Sequence, residues 1–323
     1  MTAHVPVMTA EVLQFLRPER GGLFVDYTVG LGGHARALLE AGATRLIGLD
    51  RDQEALELAR ETLAPWSDRV ELVHADYRSL GDVLDSRHVD VVDGTLADMG
   101  VSSLQFDAAG RGFSFQRDEP LDMRMDRSEG ETAADLVARA SERELADVIF
   151  AYGEERFSRR IARSIVDARG ESPVDTTGRL AAIVRRAIPR RGPMRIDPAT
   201  RTFQALRIWV NRELDGLDQF VELAAKRLRG AARLVVITFH SLEDRIVKHT
   251  LRRLDRGGEG IRVLTKKPLI ASDEEVMRNP RARSAKLRAA ERVSDRPEGR
   301  SLPTDAFRAG LNAVLTDGCR ARS

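Results

Sequence analysis

Residues 22–34 read GLFVDYTVGLGGH, and this stretch decides the fold. Gly22 to Asp26 is an apolar run ending in an acid, the pattern of a short buried strand. Gly30, Gly32 and Gly33 then form a glycine-rich turn, and a helix is expected from about His34 to Glu40. Glycines let a backbone turn tightly and approach a ligand closely. Outward from this unit the alternation continues. Arg45 to Asp50 reads as a second strand, Gln53 to Leu63 has helical periodicity, Val70 to His74 is a third strand, and Val89 to Ala97 contains a fourth. Short strands separated by helices predict an α/β fold, a parallel sheet with helices on its faces. Such sheets bind ligands beyond the carboxyl ends of their strands.

The pattern changes after Leu104. No buried strand is expected from there to Gly216, and four stretches read as helices: 132–150, 154–167, 176–188 and 200–214. Thr132 and Thr176 are expected N-caps, and Pro189 with the Gly192-Pro193 pair marks breaks. The alternating core resumes with a helix from Leu217 to Leu228, a strong strand from Arg233 to Phe239 and a late strand from Lys286 to Arg292. Residues 255–285 read as a basic, loop-rich excursion, and the tail from Ser294 is polar, with one short helix expected near Asp305 to Val314. The expected organisation is therefore a discontinuous sheet domain, residues 1–104 and 217–293, an inserted helical domain, 105–216, and a tail, 294–323.

Of the 323 residues, 42% are apolar and 32% charged, a soluble, folded composition. No apolar run approaches a membrane span, and Met1 to Pro6 carries no secretory-signal pattern, so a cytoplasmic setting is expected. The lone Cys319 excludes an internal disulfide and a cysteine-rich metal site, and no metal is expected. Net charge is only +2, yet Arg156 to Arg201 holds 12 arginines against 4 acids. That run suits a phosphate backbone, and equally a solvated helix face. Phe113, Phe115 and Phe157 lie in or near the insertion, where they serve either base stacking or the core.

Gly30, Gly32 and Gly33 lack the GxGxxG spacing of a dinucleotide fold, which counts against a nicotinamide-dependent oxidoreductase. Asp50 ends the second strand, where a carboxylate can accept from both ribose hydroxyls of a nucleoside or cap the helix beginning at Gln53. Tyr77 follows the third strand, placed to lie against an adenine or to fill the core. Asp98 ends the fourth strand at the centre of the carboxyl edge, and His240 and Ser241 follow the fifth on the same edge. A histidine there can shuttle a proton near neutral pH; with Glu243 next, it can also cap a helix. Asp122, Arg124 and Asp126 alternate in charge, as a phosphate clamp or a salt-bridge network.

Several separated blocks resemble one family. They are Gly32-Gly33-His34; Asp98 to Gln105 (DMGVSSLQ); Arg111 to Phe115 (RGFSF) continuing to 120–126 (PLDMRMD); 152–157 (YGEERF); 201–211 (RTFQALRIWVN); 239–247 (FHSLEDRIV); and 279–283 (NPRAR). The chain is similar through these blocks to the bacterial small-subunit ribosomal RNA methyltransferases that modify N4 of a cytosine in the decoding region. The resemblance implies a Rossmann-like class I S-adenosylmethionine-dependent methyltransferase with an inserted all-helical domain. It assigns Gly32, Gly33 and His34 to the methionine part of S-adenosylmethionine, Asp50 to its ribose and Tyr77 to its adenine. It adds Asp98 and Gln105 to the cofactor set. The family often has phenylalanine where Tyr77 stands. The implied partners are the small ribosomal subunit and its rRNA, and the resemblance allows a homodimer.

A cytosine amino group is a poor nucleophile because its lone pair is delocalised into the ring. Catalysis must hold it in line with the methyl group and meet the positive charge that develops on it. Asp98 is the first candidate acceptor, with the methionine amino group as its alternative partner, and His240 and Ser241 are the other catalytic candidates. Amino-directed methyltransferases usually follow the strand-end polar residue with two prolines and an aromatic. Here Met99, Gly100 and Val101 follow Asp98, so that segment has no aromatic platform. A methyltransferase acting on a protein or small amine and a noncatalytic RNA-binding assembly factor are the remaining readings. Radiolabel transfer to subunits separates the last from an enzyme.

Overall fold

The computed structural model describes residues 6–189 and 196–293. The short helix expected near 305–314, the Gly192-Pro193 break, and Arg190, Arg191 and Arg195 of the arginine run lie outside the described residues.

After a first helix, α1 (Thr9–Leu16), the chain enters β1 (Leu23–Asp26), whose four residues are all buried. The turn leads into α2 (Gly33–Glu40), capped by Gly32 at φ 84°, a left-handed conformation that glycine adopts without strain. Strand β2 (Arg45–Asp50) and helix α3 (Gln53–Thr62) follow, the helix capped by the Asp52 carboxylate, which accepts from the Glu54 amide. Then come β3 (Val70–His74), α4 (Leu80–Asp85) and β4 (Val92–Asp98). After a short α5 (Ser103–Asp107), helices α6 (Ala133–Arg139), α7 (Glu142–Gly153), α8 (Ser158–Glu171), α9 (Thr177–Ala187) and α10 (Ala199–Asn211) form the inserted stretch. The chain returns through α11 (Leu217–Lys226), β5 (Leu228–Thr238) and α12 (Ser241–Arg256). It closes with β6 (Ile261–Val263), β7 (Leu269–Ile270), α13 (Asp273–Arg278) and β8 (Lys286–Arg292).

The sheet runs β3-β2-β1-β4-β5-β8-β6, with β7 also pairing β8. Strands β1 to β5 pair in parallel, and β8 runs antiparallel to β5 and to the two short strands. The chain moves outward from β1 to β3, then crosses back to place β4 on the other side of β1. The carboxyl ends of β1 and β4 flank that reversal, where an open α/β sheet has its ligand crevice. Gly94 sits inside β4 because a Cβ there would lie 2.4 Å from the Phe24 ring.

Two apolar clusters line the sheet's faces. A third lies within the inserted stretch, around Val137, Ile149, Ile161, Leu180 and Leu206. Phe113 is buried there, while Phe115 and Phe157 pack against it half-buried, Phe115 with its ring centroid 4.8 Å from that of Phe203. No helix among the described residues is long and apolar enough to cross a membrane.

The structure corrects three sequence expectations. Residues 132–150 form two helices, because Ser141 caps a new one by accepting from the Glu144 amide. The fifth strand starts at Leu228, inside the stretch expected to be helical, and its register on β4 shifts between Val92 and Gly94. The 255–285 excursion contributes β6 and β7 to the sheet edge, along with α13.

Candidate active site

An open cavity of about 960 Å³, its mouth included, lies over the carboxyl ends of β1, β2 and β4. Residues distant in sequence line it: the turn after β1, Asp50 and Arg51 at the end of β2, Asp76 and Tyr77 after β3, Asp98 to Ser102 from the end of β4, and Gln105 from α5. Met125 reaches it from the insertion, Phe239 from the end of β5, and Asn279 and Arg281 from the late loop.

The turn is braced by the acid it faces. Asp50 accepts from the Gly30 amide through one oxygen, at 2.7 Å, and from the Asp52 amide through the other, at 2.9 Å. Burial nevertheless pushes its pKa up to about 6, because the surroundings disfavour charge more than two amides favour it. Each carboxylate oxygen keeps a lone pair for a further donor. Gly32 supports the turn from behind: it does not line the cavity, and a Cβ on it would press on Leu63 at 3.1 Å.

The cavity floor is polar and incompletely paired. Thr28 joins the two strand ends, its amide donating to Asp26 and its hydroxyl accepting from the Asp98 amide at 2.6 Å. His34 Nε2 lies 3.5 Å from Asp98 Oδ2. Asp26 Oδ2, both ring nitrogens of His34 and Asp98 Oδ1 are buried without a hydrogen-bond partner. Buried polar atoms are rarely left so. Burial raises the Asp26 pKa to about 7, partly offset by His34. Sequence reasoning passed over Asp26; the signal was an acid at the end of the first strand.

Tyr77 is buried in the core yet borders the cavity. Its ring lines the cavity and packs on Phe220 with centroids 4.9 Å apart, and its hydroxyl donates to the Glu213 carbonyl at 2.8 Å. Gln105 completes a capping box with Ser102 and donates to Asp52 at 2.9 Å.

His240 and Ser241 stand apart from the cavity lining. His240 is the N-cap of α12: its Nδ1 accepts from the Glu243 amide, and its Nε2 lies 3.0 Å from Glu243 Oε1. Glu213 is near, held by a two-pronged Arg207 fork. Burial acts to raise the Glu243 pKa, but His240, Arg207 and the Phe239 amide outweigh it and hold the group below its ordinary range. Glu213, His240 and Glu243 are close enough to hold a metal ion, yet the Arg207 fork occupies both oxygens of Glu213, the arrangement of an ion-pair network. Ser241 donates to Glu154 at 2.6 Å, and Arg245 donates to the other oxygen of the same carboxylate, so α12 is tied to the end of α7.

The insertion reaches the site through clamps. Arg111, 1% exposed, donates to Asp52 at 2.7 Å, to Glu54 at 2.9 Å and to the Met125 carbonyl at 3.0 Å. Asn211 accepts from the Met125 amide and donates to the Met123 carbonyl, both at 2.7 Å. His74 Nε2 lies 3.2 Å from Asp126. Arg124 is a network residue, forked onto Asp122 and bonded to the carbonyls of Arg127 and Gly130. The arginine run divides likewise. Arg169 donates to the Val137 and Ala140 carbonyls, Arg179 to those of Ala168 and Ser172, and Arg185 pairs with Asp197. Arg159, Arg160 and Arg186 stand exposed.

Comparison with known proteins adds to this geometry. A family model described as the MraW methylase family matches residues 1–293. A ribosomal RNA small subunit methyltransferase H from Geotalea uraniireducens is 50% identical over 307 residues, covering 90% of this chain and 98% of that protein. A protein of the same name from Sorangium cellulosum is 53% identical over 293 residues, covering 90% and 91%. Among solved structures, an rRNA methylase from Streptococcus thermophilus aligns at TM-score 0.40 and 9% identity, covering 88% of this chain and 94% of that one.

Proposed function

The chain belongs to the MraW methylase family, and from that premise we propose that it transfers a methyl group from S-adenosylmethionine to the exocyclic N4 amino group of a cytosine in the decoding region of small-subunit (16S) ribosomal RNA. One observation carries the reading. The glycine turn braced by Asp50 shares a single cavity with Asp98 and His34, whose buried polar atoms lack partners.

Those residues fit the cofactor. Asp50 takes the ribose hydroxyls, Tyr77 offers a ring to the adenine, and the Gly33-His34 turn with Asp98 takes the methionine end. The unpaired oxygens of Asp26 and Asp98 suit an ammonium group. Gly32 belongs to this set through the backbone it bends, and Gln105 through the Asp52 cap it holds. S-adenosylmethionine supplies a methyl group already activated on a sulfonium.

The protein's part is to hold the cytosine nitrogen in line and to dry the site. Asp98 serves first as an ammonium acceptor; its second task is to face the N–H groups of the cytosine as charge develops there. His240 and Ser241 act through the start of α12 rather than at the reacting atoms. The organisation into a split sheet domain, 1–104 and 217–293, and an RNA-recognising insertion, 105–216, is part of the same reading. The partner is the small ribosomal subunit and its rRNA. Self-association as a homodimer is checked by light scattering.

The test is methyl transfer from labelled S-adenosylmethionine to unmodified small subunits, with mass mapping of the product nucleoside. N4-methylcytidine in the decoding region is expected. A methyl group on another base, or none on RNA, overturns the reading. In the same assay Asp98→Ala is expected to lower transfer by at least about a hundredfold, while calorimetry with the cofactor apportions the loss between binding and chemistry. Wild-type turnover in that variant removes Asp98 from both roles.

A further inference from the structure

Resting on the methyltransferase reading, we propose that Phe239 is the aromatic platform on which the target base stacks. It replaces, from the next strand, the ring that Met99-Gly100-Val101 does not supply.

The sheet order gives the direction. Asp50 ends β2 and Tyr77 follows β3, so the nucleoside end of the cavity lies on that side. Moving across the sheet, β1 and β4 bring the Gly33 turn and Asp98, the methionine end. Strand β5 is next, three steps from β2, or about 14 Å at ordinary strand spacing. An acceptor nitrogen must meet the methyl carbon on the side away from sulfur, in line with the bond that breaks, so the base needs a support beside the strand end that carries Asp98. Phe239 stands directly after β5, lines the cavity and is half-buried. Asp98 and Ile237 are register partners, and the Met99 amide donates to the Ile237 carbonyl, so the two strand ends leave the sheet side by side.

The ring packs against the core on one sheet face, and its neighbours on both strand ends hold it in place. Gly100 has φ 110°, and a Cβ on it would crowd the Phe239 ring at 3.1 Å, so glycine lets the ring lie close against this turn. The Phe239 amide donates to Glu243 Oε2 at 2.9 Å. Glu243 is in turn fixed by His240, with Arg207 and Glu213 behind them. This buried ion network therefore sets the backbone from which the platform projects. A base face against an aromatic ring is the usual way a protein holds an unpaired nucleotide, and it leaves the exocyclic amino group at the base edge free to turn toward Asp98.

The experiment compares wild type with Phe239→Leu, Phe239→Tyr and Phe239→Trp in methyl transfer to unmodified small subunits. Cofactor affinity is measured by calorimetry and stability by thermal melting. Phe239→Leu is expected to transfer about tenfold to a hundredfold more slowly, with cofactor affinity unchanged, and the aromatic variants are expected to recover most of the rate. A wild-type rate in Phe239→Leu overturns the platform. So does an equal loss in the aromatic variants, or a loss of cofactor affinity in step with the rate. Phe239→Met provides a second non-aromatic side chain should the leucine variant fail to fold. No transfer by the wild-type protein removes the methyltransferase reading itself, and the platform with it; the wild-type arm thus tells the two failures apart.

Discussion

Two buried acids that end adjacent strands, Asp50 in the cavity lining and Asp26 beside it, make ligand-free stability depend on pH. Burial raises Asp50 to about 6 and Asp26 to about 7, both above the ordinary aspartate value of 3.8. Folding therefore favours their protonated forms. Relative to the unfolded chain, that contribution is fully present below about pH 4 and is lost as pH rises through 6 and then 7. An ammonium group beside Asp26 reverses the preference. Ligand-free protein should thus melt lower at about pH 8 than at about pH 5, and S-adenosylmethionine should narrow the gap. Asp26→Asn should raise the ligand-free melting temperature at the higher pH and weaken cofactor binding at least about tenfold. Melts at both pH values and calorimetry check this; unchanged affinity in Asp26→Asn removes Asp26 from the ammonium site. The sequence marked Asp50 and Asp98 because they end strands at the expected crevice. It did not mark Asp26, although it ends a strand too, because what singles it out is an oxygen without a partner, a property of packing alone.

Helix ends decide what the charged and polar residues of the insertion are for. Arg169 closes the end of α6 by donating to the Val137 and Ala140 carbonyls, so it acts as a structural cap. Arg169→Ala is expected to destabilise the fold by about 1–2 kcal/mol and to leave RNA affinity unchanged, which thermal melts and subunit binding separate. His240 has the same character: as the N-cap of α12 it should be replaced by Asn with little loss of stability, whereas His240→Ala should lose about 1 kcal/mol. Equal stability of the alanine and asparagine variants rejects the cap. Caps were partly legible. Thr132 and Thr176 carry the signature and cap as expected. Ser141 was missed because unbroken apolar periodicity across 132–150 hid a residue that ends one helix and begins the next. The alternating strands read well because a buried strand is written in consecutive residues, while β6 and β7 are too short to leave that trace.

At the scale of the whole molecule, the inserted helices and the sheet meet through pairs distant in sequence. Arg111 to Asp52 and Asn211 to Met123 and Met125 are the main ones. No periodicity announces such pairs, so the sequence showed two regions without showing how Met125 comes to line the cavity. Removing Arg111 leaves Asp52 buried without its cation. Arg111→Met should therefore destabilise the protein by about 3–5 kcal/mol and weaken cofactor binding, since Gln105 hangs from the same carboxylate. The exposed arginines act differently. Arg159 and Arg160 on α8 and Arg186 on α9 project from the surface of the insertion. If that surface meets RNA phosphates, binding to the small subunit must weaken as salt rises, because each neutralised phosphate releases counterions. Replacing one of these arginines by alanine should leave the melting temperature unchanged and reduce the slope of log affinity against log salt by about 1. Arg169→Ala, lowering stability, should leave that slope where it was. A flat salt response in the wild-type protein, or slopes that do not distinguish Arg159 from Arg169, means the exposed arginines serve solubility and the RNA lies elsewhere.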